Sequence, residues 1–364
     1  MMFYGPRIRQ ARELREFTQG KLAKAVGVSQ ALIASIETEL RLPSEALLAK
    51  IAQALTLPIA YFSEPQSLEI PPSSLLFRAR ASISNRAVTE ASRVAEHVLA
   101  LATSLAKHVD IPVHVHPLHC DPTEAARRIR ELLRVPPLEP IPALIRSLER
   151  LGIWVLALPV LKDRDAFCMW IEIDGRSIPT IAVCMDQPGD RLRLSVAHEL
   201  GHLLLHKDKL GRIRSDLEKE AFAFGAELLM PEAAMRKELL PPVTLTTVSQ
   251  LKPRWLVSMQ ALIRRGHDLR IVTERQYHYL FQRLSAAGWR KEEPNPIAIE
   301  RPMLIRKMAE VAYGTPLDYR SLAAACHMLP QEAERLLSFY AAPKAATSGV
   351  TSKVVSFPRK RVNA

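Results

Sequence analysis

Apolar residues follow two rhythms along this chain. Through residues 7–62 they recur at helical spacing in short bursts, with Gly27, Pro43 and Pro58 between them, which predicts closely spaced short helices. Mid-chain the apolar runs become continuous. IWVLALPVL reads as a buried strand, and in FCMWIEIDGRSIPTIAVCM the pair Asp174-Gly175 separates two β-rich runs, which predicts a hairpin. Pro179 cannot donate to a ladder, so its strand is expected at an edge or shortened. Helices are predicted from about Val88 to Leu105, from Pro122 to about Arg134, and up to Gly152. The first carries the stripe Val94, Val98, Leu101 and Leu105, expected to pack within the chain. Asp121 caps the second, with Glu124 as its capping-box acid. Everything after about Asp190 reads as helix, including a helix–turn–helix pair around Leu329-Pro330.

These patterns make a multi-domain, mainly α chain of 364 residues. An N-terminal five-helix bundle (1–66) is followed by a linker, marked by SEPQSLEIPPSS, and a connecting helix (67–110). An α+β domain with a small sheet (111–240) and a helical C-terminal region (241–342) come next. Residues 343–364 form a basic tail that is expected to be disordered. No apolar run approaches the roughly 18 residues that a bilayer crossing requires, so a cytoplasmic protein without a membrane partner is expected. Cys120, Cys168, Cys184 and Cys326 lack CxxC spacing, which argues for buried thiols over a disulfide framework or thiolate site. A net charge of +12 points to polyanions, nucleic acid first, although Lys344, Lys353, Arg359, Lys360 and Arg361 place five of those charges in the tail.

The stretch RLSVAHELGHLLLH sets polar groups inside an apolar helix. Leu192, Val196, Leu200 and Leu203 form one face, and His198 and His202, four residues apart, come to one side a turn away from each other. Such a pair can grip one ion, while Glu199 can reach a water on that ion without binding it; this is the zincin logic of HExxH. Gly201 in mid-helix suggests that something approaches closely there. His206 lies about 12 Å along the axis from His198, too far for three imidazoles on one straight helix to share an ion. Metzincin spacing would need glycine at Leu205 and a ligand at Asp208, so the remaining third donor is a carboxylate from LEKEAFAFGAELLMP, which supplies Glu218, Glu220 and Glu227. Periodicity does not choose between Glu218 and Glu220, since each borders the stripe of Leu217, Ala221, Phe224 and Leu228.

HELGHLLLH followed by EKEAFAFGAELLMP resembles the ImmA/IrrE family of metallopeptidases, as do the hairpin, GIWVLALP and LKPRWLVSMQALIRR, over roughly Asp121 to Pro294. The resemblance implies a zincin-like fold, with His198, His202 and Glu220 as ligands of one Zn2+ and Glu199 as general base of a gluzincin-like endopeptidase. Mn2+ or Fe2+ suits the same donors. The family usually has Asn where Phe222 stands and Ala where Gly225 stands, departures that bear on helix packing more than on metal binding.

In the N-terminal segment TQGKLAKAVG and SQALIASIE read as two helices joined at Gly27-Val28, and Arg7 to Phe62 resembles the XRE-type helix-turn-helix domains of phage repressors. Duplex DNA is the partner this implies. Gln30, Ala31 and Ala34 would face the major groove, with Thr18, Gln19, Ser29 and Arg41 completing the contact set. Arg7, Arg9, Arg12, Lys21 and Lys24 are candidate phosphate contacts. Glu37 and Glu39 would oppose a polyanion if exposed to it, and Thr38-Glu39 stands where the family commonly has glycine. A homodimer would strengthen a modest single-site affinity.

Together the two resemblances imply a transcription regulator whose zinc-dependent hydrolase domain cuts a regulatory protein, such as a repressor, in a stress or phage-related response. The alternative is a helix-turn-helix repressor or antitoxin-like module whose zincin-like domain holds metal or a partner without cleaving. His114, His116, His119 and Cys120 are chemically adequate ligands in an extended segment, but are read as a linker cluster without an assigned site.

Overall fold

The computed structural model describes residues 3–63, 85–158, 166–207 and 215–341. These divide into two compact units, one of residues up to Ile111 together with those from Met303 on, the other of residues between Pro112 and Pro302. The helical region expected over 241–342 is thus shared between the units. Val248, Leu262, Ile263 and Leu284 join the core that contains the sheet, whereas Glu332 pairs with Arg15 and His97 in the first unit. Most of the expected linker and all of the tail lie outside the described residues.

In the first unit, α1 (Gly5–Leu14), α2 (Gln19–Val26), α3 (Gln30–Glu37) and α4 (Glu45–Leu55) surround Ile8, Leu22, Ile33, Ile36, Ile51 and Phe62. Thr18, Ser29 and Ser44 each cap a helix by accepting the backbone N–H of Lys21, Leu32 and Leu47. The expected fifth helix is a single 3-10 turn, Ile59–Ser63, following Pro58. Helix α5 (Asn85–Ala106) packs within the chain as expected, against α1 and the helix Leu304–Tyr313. The predicted C-terminal pair is present as Tyr319–Ala325 and Pro330–Ser338. Burial would raise the Glu332 carboxyl, but hydrogen bonding to His97 and the charges of His97 and Arg15 hold it down to about 2.

Glu37 is turned inward. Arg12 donates to it through Nε (2.6 Å) and Nη2 (3.0 Å), and Gln19 through Nε2 (2.8 Å), so the carboxylate is held away from any ligand of α3. Arg12→Ala leaves this buried charge without its main partner and is expected to cost about 3–5 kcal/mol of unfolding free energy, measured by denaturant titration. Arg9→Ala, at an exposed side chain, should change stability by less than about 0.5 kcal/mol. Equal effects would show that the buried pair has no special weight.

The second unit is built on a three-stranded sheet, β1 (Trp154–Leu158), β2 (Ala166–Ile173) and β3 (Arg176–Cys184), in the order β1-β3-β2. The predicted hairpin joins β2 to β3 with positive φ at Asp174 (49°) and Gly175 (73°), as a two-residue turn of this kind requires. Pro179 sits in the central strand, contrary to the edge placement expected for it. Its missing donor is tolerated because the parallel ladder to β1 starts one residue later, at Trp154–Thr180.

Helix Gly189–Leu205 covers β2 and β3, and helix Ser215–Leu229 packs across it and against Pro122–Leu132. Gly201 does mark a close approach: a Cβ there would stand 3.1 Å from the Ala221 Cα and from the Phe224 ring. Gly225 answers from the other helix, with its Cβ position 3.3 Å from the His198 backbone N. The two glycines let the helices touch backbone to backbone, which brings side chains near them within reach of one another.

Candidate metal centre and nucleic-acid interface

His198, Glu199 and His202 occupy the stretch of the Gly189–Leu205 helix that is pressed between the sheet and the next helix, and all three are buried. The imidazole Nε2 atoms of His198 and His202 stand 3.0 Å apart. Glu218 closes the group, its Oε2 at 3.4 Å from His198 Nε2 and its Oε1 at 3.1 Å from His202 Nε2. Donors bound at about 2.0–2.1 Å around a tetrahedral ion lie about 3.3 Å from one another, so these separations fit a single zinc-sized cation. Among the described residues this is the one group of three or more His, Cys, Asp or Glu side chains close enough to share an ion. Burial acts to raise the Glu218 carboxyl, but hydrogen bonds to His198 and His202 and their charges outweigh it and hold the group low.

Glu220 is not brought to the pair. Two residues turn a helix by about 200°, so the two carboxylates cannot occupy one position, and Glu220 instead meets His206, Oε2 to Nε2 at 2.8 Å. The apolar stripe of this helix borders both acids and carries no mark of which faces the histidines. His206 is buried beside the pair, its Nδ1 at 3.1 Å from His202 Nδ1, outside the group that could share an ion.

Cys168, unassigned from the sequence beyond its burial, adjoins the centre. It is buried on β2 with its thiol hydrogen-bonded to Glu199, and burial together with that carboxylate pushes the thiol well above its ordinary range. It therefore stays a neutral S–H donor. Phe222, where the family usually has Asn, lays its ring 4.3 Å from that of His198. The same side chain lines a cavity of about 1110 Å³, along with Lys219, Ala226, Met230, Tyr277 and Phe281. His114, His116 and His119 are exposed on an extended segment and do not group as ligands.

On the first unit, Gln30 and Ala31 are exposed along α3, with Thr18, Ser29 and Arg41 also exposed and Gln19 and Ala34 half-buried. Lys21 and Lys24 are exposed, as is Arg9. Arg7 and Arg12 are not available as phosphate contacts, because both are buried in internal pairings, Arg7 with Gln10 and the Tyr61 carbonyl, Arg12 with Glu37. Glu39 adopts positive φ (61°), the conformation for which glycine is favoured after such a helix, and its Oε1 accepts the Gly5 N–H at 3.1 Å. Glu37 is therefore not a charge facing outward, whereas Glu39 stays exposed with one oxygen engaged by the Gly5 N–H.

The fold and site describe a regulator-like helical domain joined to a peptidase-like one, and comparison with known proteins agrees. Residues 8–62 match the helix-turn-helix family and residues 148–267 match the IrrE N-terminal-like domain of a peptidase family. Over 63 residues the chain is 36% identical to the uncharacterized HTH-type transcriptional regulator YazB of Bacillus subtilis (strain 168), covering 17% of this chain and 91% of that protein. The chain belongs to the helix-turn-helix regulators, as an XRE-type member that carries a peptidase-like domain of the IrrE/ImmA kind.

Proposed function

We propose that the chain is a DNA-binding regulator whose second unit is a zinc-dependent endopeptidase acting on a regulatory protein, such as a repressor. The observation that carries this reading is the His198, His202 and Glu218 group, spaced for one ion, with Glu199 buried next to it and outside the ligand set. A purely structural site has no use for such a base. A bound divalent ion would supply a Lewis acid that acidifies water and polarises a carbonyl. Glu199 would accept the proton given up as water attacks the peptide carbon and pass it to the leaving amine. The Cys168 thiol lies against that carboxylate, and the cavity beside Phe222, lined by Ala226, Met230 and Phe281 as well as Lys219 and Arg264, offers room for a substrate segment. Comparison of cleavage products from the wild type and Glu199→Gln tests the peptidase reading.

The same reading assigns Gln30, Ala31 and Ala34 to the major groove, with Thr18, Gln19, Ser29 and Arg41 around them and Arg9, Lys21 and Lys24 toward phosphates. Binding of operator-length duplex by the full chain should weaken with salt, by about fortyfold between about 50 and 200 mM if three phosphates are contacted. Lys21→Ala and Lys24→Ala should reduce that slope in gel-shift titrations. Binding that is independent of salt would remove the DNA-reading role from this face.

A further inference from the structure

Three side chains lie in line behind the metal centre. Glu220 Oε2 is 2.8 Å from His206 Nε2, and His206 Nδ1 is 3.1 Å from His202 Nδ1, while His202 Nε2 faces His198 and Glu218. A carboxylate accepts, so the Nε2 of His206 must carry the hydrogen. Neutral His206 then has a bare Nδ1, which can accept from His202 and not donate to it. With an ion bound at its Nε2, His202 in consequence carries its hydrogen on Nδ1 and gives it to His206; with the site empty, Glu218 Oε1, 3.1 Å from that Nε2, competes for a hydrogen there. Each link fixes the next, and the direction of the chain is set by the one group in it that has no proton to give.

We propose that Glu220 and His206 are positioning residues, a two-step relay that locks His202 in the tautomer and ring orientation needed to bind the ion. The inference rests on the metal-centre reading above and gives a task to two residues which that reading leaves idle. Metal-bound imidazoles are ordinarily oriented by a direct hydrogen bond from their other nitrogen to a carboxylate or carbonyl; here a second imidazole is interposed. The interposition carries the influence of Glu220, a half-exposed residue on the neighbouring helix, into a buried centre.

The test uses the full chain, with zinc affinity measured in competition with a chromophoric chelator. Histidine tautomers are read from 15N shifts of metal-free Glu218→Ala, in which no carboxylate faces His202 Nε2, at about pH 8, where free imidazoles are neutral. Glu220→Ala and His206→Phe should each bind zinc about 10–100-fold more weakly than the wild type, and Glu220→Gln, which keeps an acceptor oxygen, should recover most of the loss. His202 should be the Nδ1–H tautomer in Glu218→Ala and lose that bias when His206→Phe is added. Glu220 is half-exposed, so its variants report even if His206→Phe fails to fold. Affinity unchanged within about twofold in Glu220→Ala would overturn the relay, as would a His202 protonated on Nε2 in Glu218→Ala. A loss in Glu220→Ala as complete as that in Glu218→Ala would overturn it too, by making Glu220 a ligand. If the wild type takes up no zinc, the metal-centre reading fails, while the tautomer of His202 still decides the relay.

Discussion

Glu218→Ala is expected to lose the bound metal, with an affinity lower by more than the roughly 100-fold that marks the upper range for residues supporting a ligand from behind. The geometry gives the reason: Glu218 is the carboxylate that completes a triangle of donors 3.0–3.4 Å apart with His198 and His202. Without it two imidazoles remain, too few for a tightly held zinc. His198→Ala should fall as far. Elemental analysis after gel filtration reads the result directly, as about one metal per chain in the wild type and close to none in either variant. Full occupancy in Glu218→Ala with loss in Glu220→Ala would transfer the ligand role to the carboxylate now placed against His206.

Glu199→Gln is expected to do the opposite, keeping the metal and the fold while lowering cleavage by about 100- to 10,000-fold. The amide has the same size and can still accept the Cys168 S–H through its oxygen, so packing between helix and sheet is preserved. What it cannot do is take a proton from attacking water. Cleavage in that variant at the wild-type rate would remove Glu199 from the mechanism.

Much of this molecule was legible in its residues, for reasons that can be named. His198, Glu199 and His202 lie on one helix, where spacing alone fixes their relation, and the unfavourable placement of a glycine at 201 in mid-helix announced the close approach of Ala221 and Phe224. The hairpin was readable because Asp174-Gly175 supplies the positive φ that its turn needs. Glu218 was not readable against Glu220, because the register between two helices depends on the turn that joins them and both acids border the same apolar stripe. Arg7 and Arg12 looked like phosphate contacts from composition, yet Glu37 and the Tyr61 carbonyl, distant in sequence, claim them. Pro179 misled in the same way: its missing donor matters only opposite a partner strand, and β1 begins one residue beyond it. The return of residues 303–341 to the first unit also rests on long-range pairings, such as Arg15 with Glu332.

The central claim, a regulator that cuts a regulatory protein, is tested most directly by labelling new protein N-termini in cells that carry either the wild type or Glu199→Gln at equal levels. A small set of termini, internal to one or a few regulatory proteins, should be present with the wild type and missing with the variant. Identical sets of termini, under conditions where the wild type holds its metal and the candidate regulators are present, would contradict the claim.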